Sequence, residues 1–67
     1  MQIVTLTQKG RILARSTNMP DNERAKIVST LDFNHGQMTS DQLHELVGED
    51  SGLFIRSLER DGIVVTS

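Results

Sequence analysis

Residues 37–65, QMTSDQLHELVGEDSGLFIRSLERDGIVV, contain the start and stop signals of two short helices followed by a strand. Thr39 can cap the first helix through its hydroxyl, while the Gln42 side chain reaches back to the Thr39 amide. Gly48 then ends this helix, because a left-handed residue after the last turn is least costly for glycine. This stretch therefore predicts a capped helix that begins near residue 40 and stops before residue 48.

The second helix of the stretch has its own signals. Asp50 or Ser51 can cap its start, and Gly62 ends it. Leu58 and Ile63 occupy the positions at which a Schellman-type helix end makes its apolar contact. Two capped helices joined by a turn of about three or four residues are typical of a helix-turn-helix.

The flanking segments predict a strand at each end of the chain and two more helices. Residues 2–6 (QIVTL) and 63–66 (IVVT) are β-branched and apolar, as in short strands. A helix is predicted from a Thr7 cap to about Ser16, and another from Asp21 to Asn34. Apolar residues at helical spacing mark the buried stripe of the latter: Ala25, Ile27, Val28 and Leu31.

The two terminal strands are too few to stand as isolated edges, so we predict that they pair as an antiparallel ribbon. Alternation of side chains then places Ile3 or Val4, and Ile63 or Val65, on the buried face. Phe33 falls off the apolar stripe of its helix, and we expect it to pack where the chain turns.

Length and composition bound the possible classes of protein. The chain has 67 residues, no cysteine and two phenylalanines, which predicts one small domain, residues 1–67, with an aliphatic core. Such a core is marginal alone, which favours a homodimer. No apolar run approaches the ~20 residues of a membrane span, so we expect a cytoplasmic protein without a membrane partner.

Charge is distributed unevenly along the chain. The formal net charge is −2, from nine acidic and seven basic side chains. Residues 1–19 hold Lys9, Arg11 and Arg15 and no acidic residue, whereas all nine carboxylates lie in residues 20–67. A basic end on an acidic body is a possible contact surface for phosphate, although such charges also occur on ordinary solvated helices.

Residues 43–64, LHELVGEDSGLFIRSLERDGIV, resemble the L-x-x-L-G … L-x-x-L-x-x-x-G-L-V signature of the winged helix-turn-helix family, especially small repressors of the MarR, ArsR and PadR type. Leu43, Val47 and Gly48 match the first helix of that motif. The second helix and the strand after it are matched by Ile55, Leu58, Gly62, Ile63 and Val64. The helix Asp21 to Asn34 corresponds to the supporting helix of the family.

A second resemblance involves residues 3–14, IVTLTQKGRILA. They are similar to the strand and helix, Y-x-L-T-x-K-G-R-x-L, that these repressors place after the wing, but here they come first. The resemblance implies an α+β, mainly helical winged helix-turn-helix. It would have three to four helices and a two-stranded antiparallel ribbon formed by the N- and C-terminal strands, as in a circular permutation.

The resemblance also implies double-stranded DNA as the partner, bound either sequence-specifically or architecturally. The implied role is transcription regulation, with two half-sites bound by a homodimer. On the second helix, Phe54, Ile55 and Leu58 share one face, and the opposite side would face DNA. We expect Arg56 to reach a guanine edge or a phosphate, and Arg60 a phosphate. The full set of predicted DNA-binding residues is Ser51, Gly52, Leu53, Arg56, Ser57 and Arg60 on this helix, with Lys9, Arg11 and Arg15 clamping phosphates beside the terminal ribbon.

The residue patterns give little support for a catalytic site or a metal site. Asp41, His44 and Glu45 lie on one side of a helix, but they and His35 fix no closed set of ligands. No glycine-rich phosphate loop or Ser/His/Asp set is recognisable. We therefore expect no enzyme activity, no cofactor and no metal.

Two functions remain open at this point. The first is a DNA-binding regulator, favoured by the arginines and the basic N-terminal segment. The second is a winged-helix module that binds another protein through exposed Leu53 and its acidic surroundings. Glu49 and Asp50, which stand where a phosphate would approach, and a segment between Gly48 and Leu58 shorter than in the family favour the second.

Overall fold

The structure, a computed structural model, describes residues 2–16 and 22–67. Those ranges form, in chain order, β1 (Ile3–Leu6), α1 (Gln8–Ala14), α2 (Glu23–Phe33), β2 (Gln37–Thr39), α3 (Ser40–Val47), α4 (Ser51–Arg60) and β3 (Val64–Thr66). The predicted α+β class, mainly helical with up to four helices, is confirmed. Within the described ranges, no helix is long and apolar enough to cross a membrane.

The sheet has three antiparallel strands in the order β2-β1-β3. The predicted pairing of the two terminal strands is confirmed, since β1 pairs with β3. The prediction of a two-stranded ribbon is wrong, because β2 pairs with the other edge of β1. Sequence patterns missed β2, whose three residues end with the Thr39 cap itself and find their partner more than thirty residues away. The N-terminal strand is therefore the centre of the sheet.

The register decides which side chains of the terminal strands are buried. Val4 lies opposite Thr66, and Leu6 lies opposite Val64. Val4 and Val64 are fully buried, whereas Ile3 and Val65 are 43% and 52% exposed on the outer face. Of the predicted inward residues, Val4 and Ile63 are buried. Within β3, however, the inward residue is Val64 and not Val65, because side chains alternate between the faces of a strand.

The predicted start of α3 is confirmed in detail. The Thr39 hydroxyl accepts a hydrogen bond from the Gln42 amide at 3.1 Å, and the Thr39 amide donates to the Gln42 side chain at 3.0 Å. Gly48 follows the last turn with φ 88°, in the left-handed region that favours glycine. Local chemistry alone therefore fixes both ends of this helix.

The end of α4 is a Schellman motif, as predicted. The Gly62 amide donates to the Glu59 carbonyl at 3.0 Å, and the Ile63 amide donates to the Leu58 carbonyl at 2.9 Å. Ile63 and Leu58 are both buried beneath this turn. At the start of α4, Asp50 is the capping residue but makes no side-chain capping hydrogen bond.

The two earlier helices also begin at polar caps. Thr7 caps α1 through a hydrogen bond from the Gly10 amide, and Asn22 caps α2 through one from the Ala25 amide. Asp21, the predicted first residue of α2, lies outside the described residues. Phe33 does not pack at the following turn as predicted, since it is 86% exposed at the end of α2.

The core lies between the inner face of the sheet and the helices. All four predicted stripe residues of α2 are buried. The central cluster joins residues from β1, α2, α3, α4 and the segment ending in β3: Val4, Leu6, Ile27, Val28, Leu31, Leu43, Ile55, Leu58, Ile63 and Val64.

Gly10 allows α1 to approach the end of α4 closely. A Cβ atom at Gly10 would lie 2.2 Å from the Ile63 carbonyl oxygen and 2.7 Å from Cδ2 of Leu6. The Thr7 hydroxyl reinforces this corner with a 2.6 Å hydrogen bond to the Gly62 carbonyl. Gly10 is therefore required by packing, although it lowers the helical propensity of α1.

We expect Gly10→Ala to destabilise the protein by about 1–3 kcal/mol, because the added methyl group meets backbone that cannot move without disturbing the β1–β3 pair. Gly52→Ala is the matched control, since a Cβ at Gly52 meets no atom within 4 Å. Within helix α4, that change should stabilise by roughly 0.5–1 kcal/mol. Urea unfolding of both variants measures the difference. Equal effects of the two changes would contradict the close approach at Gly10.

Candidate functional site

The exposed side of α4 contains most of the predicted binding residues. Ile55 and Leu58 are 7% and 1% exposed and hold the helix against the core. The opposite side leaves Leu53 66% exposed, and Arg56 and Arg60 are also exposed. The predicted orientation of this helix is therefore confirmed.

The residues at the edges of that side differ in exposure. Gly52 is exposed and Ser57 is half-buried. Ser51, by contrast, is 5% exposed, and its Oγ lies 3.4 Å from Nδ1 of His44 on α3. Ser51 is thus directed to the contact between the two helices and is not part of the exposed surface. Sequence reasoning missed this pair, because a serine at the start of a helix is usually a capping residue, and Ser51 was interpreted as one.

Arg56 lines a concavity of about 260 Å³ at one end of the sheet. Polar residues from three other parts of the chain also line this concavity: Gln2 before β1, Ser40 at the start of α3 and Thr66 at the end of β3. Glu59 also lines it and accepts a 2.7 Å hydrogen bond from the Thr66 hydroxyl. No sequence pattern indicates this group, since its members are distant in the chain and are brought together only by the sheet.

The three basic residues of the N-terminal segment do not form one patch. The Lys9 ammonium donates a 2.9 Å hydrogen bond to the Asp61 carbonyl, at the C-terminal end of α4. Arg11 and Arg15 instead line a separate concavity with Asp32 and His35. All three belong to α1 or its C-cap and not to the strands of the ribbon.

The two arginine groups lie at opposite ends of β1. The Arg56 concavity includes Gln2, whose carbonyl accepts the Ser40 amide where β1 begins. The Arg11 and Arg15 concavity includes Gly36, whose carbonyl accepts the Leu6 amide where β1 ends. The two concavities are therefore separate sites, and one small ligand does not occupy both of them.

Asp61 connects the C-terminal end of α4 to two neighbouring helices. Its carboxylate accepts from Arg24 of α2 at 2.5 Å, while its carbonyl accepts from Lys9 of α1. The Arg24 and Asp61 side chains are 39% and 47% exposed, so this pair contributes roughly 0–1 kcal/mol after solvent screening. The contact therefore orients the helices more than it stabilises them.

The described residues contain no group of three or more His, Asp or Glu side chains arranged to hold a metal ion. Asp41, His44 and Glu45 do lie along α3, and all three are exposed. The chemistry that the surface offers is instead that of guanidinium, amide and hydroxyl donors, which suit anionic partners.

The chain was compared with protein-family models, with curated proteins and with solved structures, and none of them matches it.

Proposed function

We propose that this protein binds double-stranded DNA through the exposed side of α4 and acts as a small transcription regulator. The observation that carries the proposal is the orientation of α4. Buried Ile55 and Leu58 fix the helix, so Arg56 and Arg60 extend away from the core on the second helix of a helix-turn-helix. In that motif the second helix enters the major groove.

We also infer that the fold is a winged helix whose wing strands come from opposite ends of the chain. The resemblance to winged-helix repressors implied that the strand after α4, which is β3, pairs with the strand that comes first in this chain, which is β1. The β1–β3 register supports this inference, as does the helix α1 that directly follows β1. The inference concerns the arrangement of the fold and does not by itself determine the function.

On this proposal, Arg56 carries the sequence-dependent contact. A guanidinium can donate two parallel hydrogen bonds to a guanine edge in the major groove. Ser40 and Gln2, beside Arg56, add neutral donors of the kind that commonly contact phosphate and sugar. Gly52 has no side chain to keep the DNA backbone away from the start of α4, and Leu53 and Ser57 flank the groove.

Arg60 and Lys9 would provide the phosphate contacts at the other end of α4. Lys9 reaches the carbonyl of Asp61, the residue after Arg60, so it lies at the same end of α4 as Arg60. Arg11 and Arg15 belong to the other concavity. The proposed interface is therefore narrower than the full set of basic residues.

We expect DNA affinity to fall steeply with salt. Two phosphate contacts, from Arg60 and Lys9, give a slope of log K against log salt of about −2, and a third from Arg56 in place of its base contact gives about −3, whereas including Arg11 and Arg15 as well gives about −4 to −5. A salt titration by fluorescence anisotropy on a random duplex measures this slope. Absence of binding at about 50 mM salt would contradict the proposal.

Arg56→Ala should weaken binding to a selected duplex by roughly 1–3 kcal/mol and weaken binding to a random duplex less. Arg56→Lys is the matched variant, because it keeps the charge and loses the bidentate fork. If Arg56 contacts only phosphate, Arg56→Lys should bind both duplexes like the parent. Lys26→Ala serves as the control for net charge, since Lys26 is exposed on α2 and is not part of the proposed interface.

A second candidate function is binding to another protein through the same side of α4. Leu53 is 66% exposed, and acidic Glu49 and Asp50 precede it in the turn. Neutralising the two carboxylates should tighten DNA binding by removing repulsion, but should weaken a partner held by the acidic surface. The opposite signs distinguish the two functions.

We further propose that the protein acts as a homodimer that binds two half-sites. The outer face of the sheet supports this, since Ile3 and Val65 expose apolar surface there. Sedimentation equilibrium gives the solution mass directly. A monomer at all concentrations would exclude the dimer and leave single-site binding to be tested separately.

A further inference from the structure

The concavity formed by α1 and the turn before β2 has the chemistry of an anion site. Arg11, Arg15, Asp32, His35 and Gly36 line a volume of about 290 Å³. This volume is close to the lower end of the size range of ordinary small-molecule sites, which begins at about 300 Å³. The concavity therefore suits a group of a few atoms.

Neither guanidinium group in this concavity forms a salt bridge with a described residue. Arg11 and Arg15 are four residues apart, so they lie on the same side of α1. Among residues 2–16 and 22–67, the only salt bridge joins Arg24 and Asp61. Like charges at this spacing repel each other, and a bound anion would remove that repulsion.

The backbone of the α2–β2 turn shapes the other wall. His35 has φ 63° and Gly36 has φ 87°, so two consecutive residues adopt left-handed conformations. That conformation is uncommon for a residue with a side chain, and here it occurs at His35, whose imidazole lines the concavity. A Cβ at Gly36 would lie 3.5 Å from a terminal nitrogen of Arg11, so the guanidinium rests against the bare backbone of the turn.

We propose that this concavity binds a phosphate group, held by the guanidinium forks of Arg11 and Arg15 with the imidazole of His35 as a third donor. Fork-shaped donors match the oxygens of a phosphate bidentately. Asp32 opposes the anion and limits its affinity. The phosphate belongs either to a small phosphorylated molecule or to the backbone of a nucleic acid, and the site does not depend on DNA binding by α4.

The test follows amide and arginine Nε–H signals by NMR while the full chain is titrated with inorganic phosphate at constant ionic strength. Saturable shifts at Arg11, Arg15 and Gly36 are expected. Arg11→Gln and Arg15→Gln should each weaken binding by about tenfold or more, because each removes charge-assisted hydrogen bonds. Asp32→Asn should tighten it.

Lys26→Gln is the control, because it removes one positive charge from an exposed position of α2 that lines neither concavity, and it should leave phosphate affinity within about twofold. Equal weakening by Lys26→Gln would overturn the proposal by showing a general charge effect. Equal shifts with acetate would overturn the preference for phosphate, and the absence of any saturable shift in the parent chain would overturn the site itself.

Two further arms identify the source of the phosphate. If nucleic acid supplies it, duplex DNA shifts the same signals, and inorganic phosphate competes for them. If a small molecule supplies it, a soluble phosphomonoester saturates the site and duplex DNA leaves these signals unchanged. Both results support the site. They also separate it from the proposed function, which is measured at Arg56.

Discussion

A chain that lacks residues 1–6 is expected to lose its cooperative unfolding transition. These residues contain β1, which pairs on both edges and contributes Val4 and Leu6, 0% and 3% exposed, to the core. Burial of two such side chains contributes about 3–6 kcal/mol. A domain of this length has a total stability of only about 3–10 kcal/mol. Loss of the strand therefore removes most of the available stability and leaves β2 and β3 without a partner.

Thermal unfolding followed by circular dichroism measures this effect. Ile3→Thr is the control at a concentration at which the chain is monomeric, because it keeps a β-branched residue on the open face of the same strand and should stay within roughly 1 kcal/mol of the parent. A shortened chain that melts like the parent would contradict the central position of β1. A loss as large from Ile3→Thr would instead mean that the outer face is covered.

Leu58→Ala is expected to destabilise the protein by roughly 2–5 kcal/mol, while Leu53→Ala should change stability by less than about 1 kcal/mol. Both residues belong to α4, but Leu58 is 1% exposed and Leu53 is 66% exposed. The first change leaves a cavity among packed side chains, and the second removes a side chain that already contacts water.

Urea denaturation of the two variants gives the free energies. Comparable losses would mean that α4 is rotated about its axis, and the exposed arginines would then be misassigned as well. The comparison thus tests the orientation on which the proposed function depends. DNA or partner binding by Leu53→Ala can be measured in the same preparation, because that variant should remain folded.

The sequence predicted the elements whose signals are local. The Thr39 and Gln42 pair bonds across three residues, and the Gly62 and Ile63 amides donate to carbonyls three and five residues back. The start of α3 and the end of α4 could therefore be identified from spacing alone. The exposed side of α4 followed in the same way from the 100° rotation per residue.

Features that depend on distant partners were less accessible. The strand β2 is too short for a recognisable pattern, and Val64 is buried in place of Val65 because of a register set by β1. Phe33 remained exposed although its position off the stripe suggested packing at the turn. Arg56 is likewise separated from Arg11 and Arg15 because their concavities lie at opposite ends of β1, and no local pattern indicates at which end each one lies.

The position of β1 between β2 and β3 also has a consequence during synthesis of the chain. β1 cannot complete its pairing until β3 and Ser67 have followed it, since the Ile3 amide and carbonyl bond to Ser67 at 3.0 Å each. In the interval, an uncharged IVTL segment offers open strand edges, which favours association with other nascent chains. Closing this long loop also costs entropy before any contact compensates for it. We therefore expect folding to begin with the helices, and the sheet to form only when β3 is available to pair with β1.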